Sequence, residues 1–138
     1  MSCQSASDRS PSFQRRLRTV QVLVLCCGLI PVAAGTVGVL IGPPMAGGAT
    51  GPIGLDSHFR YLSGLLLGIG LAYWSLVPGL ARHTAAFRLL TAIVIAGGLG
   101  RLFGVFAEGV PPPSMLAALA VELLVTPLLC LLQARVAA

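Results

Sequence analysis

The chain has 138 residues, 56% of them hydrophobic and only 9% charged, where an ordinary soluble domain carries about 25% charged residues. With so few charges one small domain does not cover its own surface in water, so the composition excludes an ordinary soluble protein and points to lipid. The net charge of +5 comes from nine arginines and no lysine, four of them in the first 18 residues and the rest singly, mostly at the ends of apolar runs; that is membrane-orientation patterning, not the clustered face of a nucleic-acid binder.

Residues 1–19, MSCQSASDRSPSFQRRLRT, are polar and basic and read as a disordered tail. The first span follows over 20–41, uncharged throughout and matching the length of about 20 apolar residues that a crossing needs. A signal peptide competes for this segment, but the apolar run continues past Ala34, beyond the usual h-region of about 7–15 residues. The glycine- and proline-rich stretch 42–55 is a loop, long for a connection between packed helices. Three further spans are expected over 59–80, 87–106 and 114–132, joined by the short connectors ARHTAA and AEGVPPP. The expected architecture is therefore an all-α integral membrane four-helix bundle. Arg9, Arg15, Arg16, Arg18, Arg82, Arg88 and Arg135 then share one side, which places the N- and C-termini in the cytoplasm.

The glycines of GLLLG (64–68) and GRLFG (100–104) suggest that the second and third helices meet through small faces. Phe59, Tyr61, Phe103 and Phe106 are expected at the outer boundary, and Tyr73, Trp74 and Phe87 at the inner one. Pro127 removes an N–H and frees the carbonyl of Leu123, which reads as an ordinary kink. Cys3, Cys26, Cys27 and Cys130 have neither CxxC nor zinc-like spacing, so they read as packing residues, and neither a metal nor another cofactor is expected.

The ionisable residues carry the functional question. DSHFRY opens the second span, with Asp56 and Arg60 four apart and His58 and Tyr61 three apart, so each pair shares a helical face. Asp56 and Ser57 are also suitable N-caps. Arg101 lies roughly 9 Å inside the third span and Glu122 roughly 13 Å inside the fourth, counted from the same loop at the helical rise. A lone charge near the bilayer centre costs about 2.5–3.5 kcal/mol on insertion scales. These two are thus expected to pair with each other, with Arg60 or His58, or with water, unless Glu122 carries a proton. The expectation is an outer-leaflet polar pocket walled by Asp56, His58, Arg60, Tyr61, Arg101 and Glu122. Such a pocket suits a small hydrophobic molecule with a polar head, such as a quinone, lipid or terpenoid. Two alternatives stand beside it. One is a membrane isomerase or cyclase with Glu122 and His58 as acid and base; the other is a structural or assembly subunit in which the charges only fix helix register.

LDSHFRYLSGLLLGIGL, GGLGRLFGV, EGVPPP and ELLVTP together resemble the small bacterial membrane family described as domain of unknown function 4345. The resemblance spans about residues 20–135 and rests on Asp56, His58, Arg60, Tyr61, Gly97, Gly98, Arg101, Gly109, Pro111, Glu122 and Pro127. It implies a four-helix integral membrane protein and no particular activity. A looser similarity to DoxX-like proteins concerns the fold alone.

Overall fold

In the computed structural model, residues 10–46 and 52–137 are described. They form helices and turns only, with no strand among the described residues. Four helical stretches are long and apolar enough to cross a membrane: Pro11–Ile41, Ile53–Gly79, Thr84–Glu108 and Pro113–Ala137. Helix α1 is Pro11–Ile41, α2 is Ile53–Leu76 and α3 is Thr84–Glu108. The fourth span is α4 (Pro113–Ala120), a π-helical turn (Val121–Val125) and α5 (Thr126–Ala137).

Prolines mark where three of the four spans begin. Helix α1 starts at Pro11, nine residues before the apolar run, so residues 11–19 are helical where a disordered tail was expected; residues 1–9 lie outside the described residues. The physical reason is a start signal ahead of the run. Ser10 caps the helix, its carbonyl accepting from Phe13 N at 2.9 Å and its hydroxyl lying 3.4 Å from the same N–H. Pro11 then takes the first helical position, where its missing N–H matters least. Phe13 and Leu17 are half-buried and Val20 and Val24 buried, at helical spacing, while Arg15, Arg16 and Arg18 are exposed. Helix α2 also begins earlier than expected. Pro52, not Asp56 or Ser57, is the residue before it, and its carbonyl accepts from Leu55 N at 2.8 Å. Asp56 consequently sits in the first turn of α2.

The chain divides into two compact units, Val24–Pro78 and the remainder. In Val24–Pro78, α1 and α2 meet along a seam of glycines. A Cβ built on Gly35 would fall 2.5 Å from the backbone N of Leu67, and one on Gly70 2.7 Å from Cγ2 of Val32. Gly38 lies under Ser63 and Gly28 under the Trp74 ring. The α2 residues on this seam, Arg60, Ser63, Leu67, Gly70 and Trp74, alternate steps of three and four, as a helix pair packed along one stripe requires. Without side chains between them the backbones come close enough to gain dispersion contacts that lipid does not supply. Trp74 adds a directional contact, its Nε1 donating to the Leu25 carbonyl at 3.1 Å.

The GxxxG glycines are placed differently. A methyl group added at Gly68, Gly97, Gly100 or Gly104 would meet no described residue within 4 Å, and at Gly64 only Val39, at 3.9 Å. Tyr73 and Phe87, expected at a membrane boundary, are buried, while Tyr61, Phe103 and Phe106 are exposed.

In the other unit α3 packs against α4, the π-turn and α5. Gly98 is its close approach: a Cβ there would fall 2.8 Å from Leu123 and 3.0 Å from Glu122. At the far end Gln133 is fully buried, its Nε2 donating to the Leu80 carbonyl at 2.8 Å and to the Thr84 hydroxyl at 3.0 Å. This amide ties the last span to the start of α3.

Candidate functional site

The six residues expected to wall one pocket fall into the two units. Asp56, His58, Arg60 and Tyr61 belong to one, Arg101 and Glu122 to the other. Each unit builds an arginine–carboxylate pair of its own.

The first pair lies within α2. Arg60 Nε donates to Asp56 Oδ2 at 2.8 Å and Nη2 to Oδ1 at 3.2 Å, a two-pronged contact across one helical turn. The same guanidinium reaches α1, where Nη1 donates to the carbonyls of Val39 at 2.6 Å and Leu40 at 3.1 Å. These belong to the last turn of α1, whose carbonyls have no partner farther along the helix. A cation there also faces the negative end of the helix dipole. Gly42 completes the closure. It adopts φ 80° and donates its N–H back to the Gly38 carbonyl at 2.9 Å, the left-handed stop that glycine allows at a helix end. A Cβ at Gly42 would fall 2.7 Å from Asp56 Oδ1 and 2.8 Å from Arg60 Nη2, so the bare glycine also makes room for the pair. His58 and Tyr61 stand off this face. Both are exposed, and neither hydrogen-bonds a described residue.

The second pair joins two spans. Arg101 Nε donates to Glu122 Oε2 and Nη2 to Oε1, both at 3.1 Å, a parallel fork between α3 and the π-turn. Counted from the loop joining these spans, Arg101 is about 10 Å from the end of α3 and Glu122 about 14 Å from the start of α4 at the helical rise. Both therefore lie within apolar spans, where each charge alone costs about 2.5–3.5 kcal/mol. Pairing offsets part of that penalty. The pair is not sealed: the Arg101 side chain keeps 36% of its surface and Glu122 16%. Arg101 Nη1 donates to no described residue.

The backbone beneath Glu122 is equally distinctive. Thr126 N–H, which an α-helix would send to the Glu122 carbonyl, goes to Val121 instead, and Thr126 Oγ1 donates to the same oxygen at 3.0 Å. Pro127 explains the change of register. Its ring would press on the Leu123 carbonyl in an α-helix, and it offers no N–H. At the expected kink the helix makes a widened turn, and Gly98 provides the room opposite it.

Some elements of these sites carry no charge and were not singled out in the sequence: the carbonyls of Val39 and Leu40, Gly42 and the Gln133 amide. Gly42 could have been found as the third member of a seven-residue glycine repeat, Gly28, Gly35 and Gly42. Gln133 had no comparable signal.

Four helices of spanning length, with an ion pair between two of them inside the apolar region, define an all-α integral membrane protein. The chain belongs to the family described as domain of unknown function 4345, whose pattern matches residues 19–133 and so takes in both arginine–carboxylate pairs. No curated protein and no solved structure matches it.

Proposed function

We propose that the protein binds a small hydrophobic molecule with a polar head, of the quinone, lipid or terpenoid kind, and that the Arg101–Glu122 pair receives the head. The observation that carries this reading is the fork inside the apolar spans whose arginine remains more than a third exposed. A pair retained only to fix register gains nothing from an accessible charge, because the accessible part still has to be shielded from hydrocarbon. The neighbouring apolar surfaces of α3 and the fourth span suit the body of the ligand. In this reading Asp56 and Arg60 serve the fold, as the cap of α1.

The proposed setting is a bacterial cytoplasmic membrane. The exposed Arg15, Arg16, Arg18, Arg82, Arg88 and Arg135 favour cytoplasmic termini. The pair, which lies nearer the α3–α4 loop, is then in the outer half of the bilayer.

The test is native mass spectrometry of the full chain in mild detergent, beside Glu122→Gln. This variant keeps shape and hydrogen-bonding capacity while removing the charge. The expected result is an apolar molecule that accompanies the native chain and is lost both from Glu122→Gln and from the double variant Arg101→Leu with Glu122→Leu, which leaves no charge uncompensated and so keeps its unfolding temperature. If no molecule accompanies the native chain and the double variant unfolds at a lower temperature, the pair is a structural lock and the reading fails.

A further inference from the structure

We infer that the π-helical turn reads the head of the ligand, and that the head is a neutral hydroxyl. This rests on the binding role proposed above and goes on to name the chemistry recognised.

Three features converge on residue 122. The first is the register. Thr126 N–H bonds the Val121 carbonyl, and Pro127 has no N–H to offer, so the Glu122 carbonyl loses its donors from both the α and the π register. A main-chain acceptor set free inside hydrocarbon needs a donor from elsewhere. The second is the fork. Glu122 occupies Nε and Nη2 of Arg101 and leaves the Nη1 amino group as a donor with no acceptor among the described residues. The third is Gly98, which lies three residues before Arg101 on α3 and leaves room opposite Glu122 and Leu123 for the wide turn. Residue 122 and its partner thus offer one main-chain acceptor and one guanidinium donor beyond those the pair consumes.

That combination selects a class of head. A hydroxyl both donates and accepts; it donates to the Glu122 carbonyl and accepts from Arg101. An anionic head fits poorly. The pair is already neutral, so a carboxylate or phosphate adds a third charge to the apolar region and competes with Glu122 for the fork. A ketone or quinone carbonyl accepts from Arg101 and leaves the main-chain carbonyl unanswered. The ligand is therefore an apolar alcohol: a long chain or isoprenoid body ending in a hydroxyl.

The experiment compares hexadecanol with palmitate, which share a chain length and differ in the head. Binding to the full chain in detergent is read by native mass spectrometry on native protein, Glu122→Gln, Pro127→Ala and Pro127→Leu. The two proline variants restore the missing N–H, which in the register of this turn faces the Glu122 carbonyl and satisfies it while leaving the Arg101–Glu122 pair in place. Hexadecanol is expected to bind the native chain at least tenfold more tightly than palmitate, and to weaken at least tenfold in both proline variants with no loss of unfolding temperature. If it binds the proline variants as it binds the native chain but is lost from Glu122→Gln, the π-turn inference is overturned and the binding reading survives. Tighter binding of palmitate overturns the hydroxyl head. Binding of neither probe to the native chain overturns the inference, and a native chain that also carries no molecule of its own overturns the binding reading with it.

Discussion

The two arginine–carboxylate pairs are alike in chemistry and differ in setting. Arg60 and Asp56 share one helix and lie where α1 ends, and every part of the guanidinium is engaged, two arms by the carboxylate and one by the last carbonyls of α1. Arg101 and Glu122 sit on different spans inside the apolar stretch and engage two arms, leaving the third without a described partner. Their arginines are almost equally exposed, at 39% and 36% of the side chain, so exposure alone does not distinguish them. What distinguishes them is what the spare donor meets. At a helix terminus it finds carbonyls that the backbone cannot satisfy by itself. Within a span the carbonyls are normally paired along the helix, so a spare donor there meets no such terminus.

The sharpest way to break this contrast is through the seam that holds the first pair in place. Gly35→Leu puts a Cβ 2.5 Å from the Leu67 backbone N and 2.8 Å from its Cα, atoms that cannot rotate aside. The expected loss is about 3 kcal/mol or more. It is measured by unfolding in SDS and followed through Trp74, the single tryptophan of the chain. Trp74 lies on the same seam and reports its opening. A loss below about 0.5 kcal/mol, the range of an uninvolved surface position, would mean that the helices are not in close contact there.

A smaller effect sets the two pairs against each other directly. Replacing both members of a pair by leucine removes both charges and leaves neither uncompensated. Asp56→Leu with Arg60→Leu is expected to lower the unfolding midpoint, by less than Gly35→Leu, because the Val39 and Leu40 carbonyls lose their donor. Arg101→Leu with Glu122→Leu is expected to leave stability within about 1 kcal/mol or to raise it, since apolar residues often replace an interior ion pair without loss. Reversal of the two outcomes would make Arg101–Glu122 the structural pair and Asp56–Arg60 the dispensable one.

The spans were legible in the sequence because uninterrupted apolar runs have few alternatives to a membrane helix. Their ends were less so. At the N-terminus the charges of Arg15, Arg16 and Arg18 suggested a tail, while Ser10 and Pro11 carried the helix start. The cost of two lone charges required partners for Arg101 and Glu122, but each other was one candidate beside Arg60, His58 and water, and the fold makes the choice. The Asp56–Arg60 pair followed from four-residue spacing, but its role did not. That role depends on where α1 stops, and the stop is set by Gly42 in a segment read as a loop. Pro127 was visible, yet the widened turn beside it was not, because the room for that turn lies at Gly98 on a neighbouring span. Gln133 was not legible as a buried residue. An amide near a span end has water available, and only the fold shows that it is enclosed and tied to Leu80 and Thr84.

The smallest expected effect tests the glycines themselves. GLLLG draws attention as a packing motif, whereas the structure gives that part to Gly28, Gly35 and Gly38 on α1. Gly68→Ala adds a methyl group that meets no described residue within 4 Å. It also replaces a poor helix former by the best one. The same SDS titration is therefore expected to show a change within about 0.5 kcal/mol, with the Trp74 signal of the folded state unaltered. A loss above about 1 kcal/mol, of the size that overpacking produces, would show that the Gly64–Gly68 face is itself in close contact. Close packing of helices in lipid depends on which glycines oppose a backbone, and sequence spacing alone does not identify them.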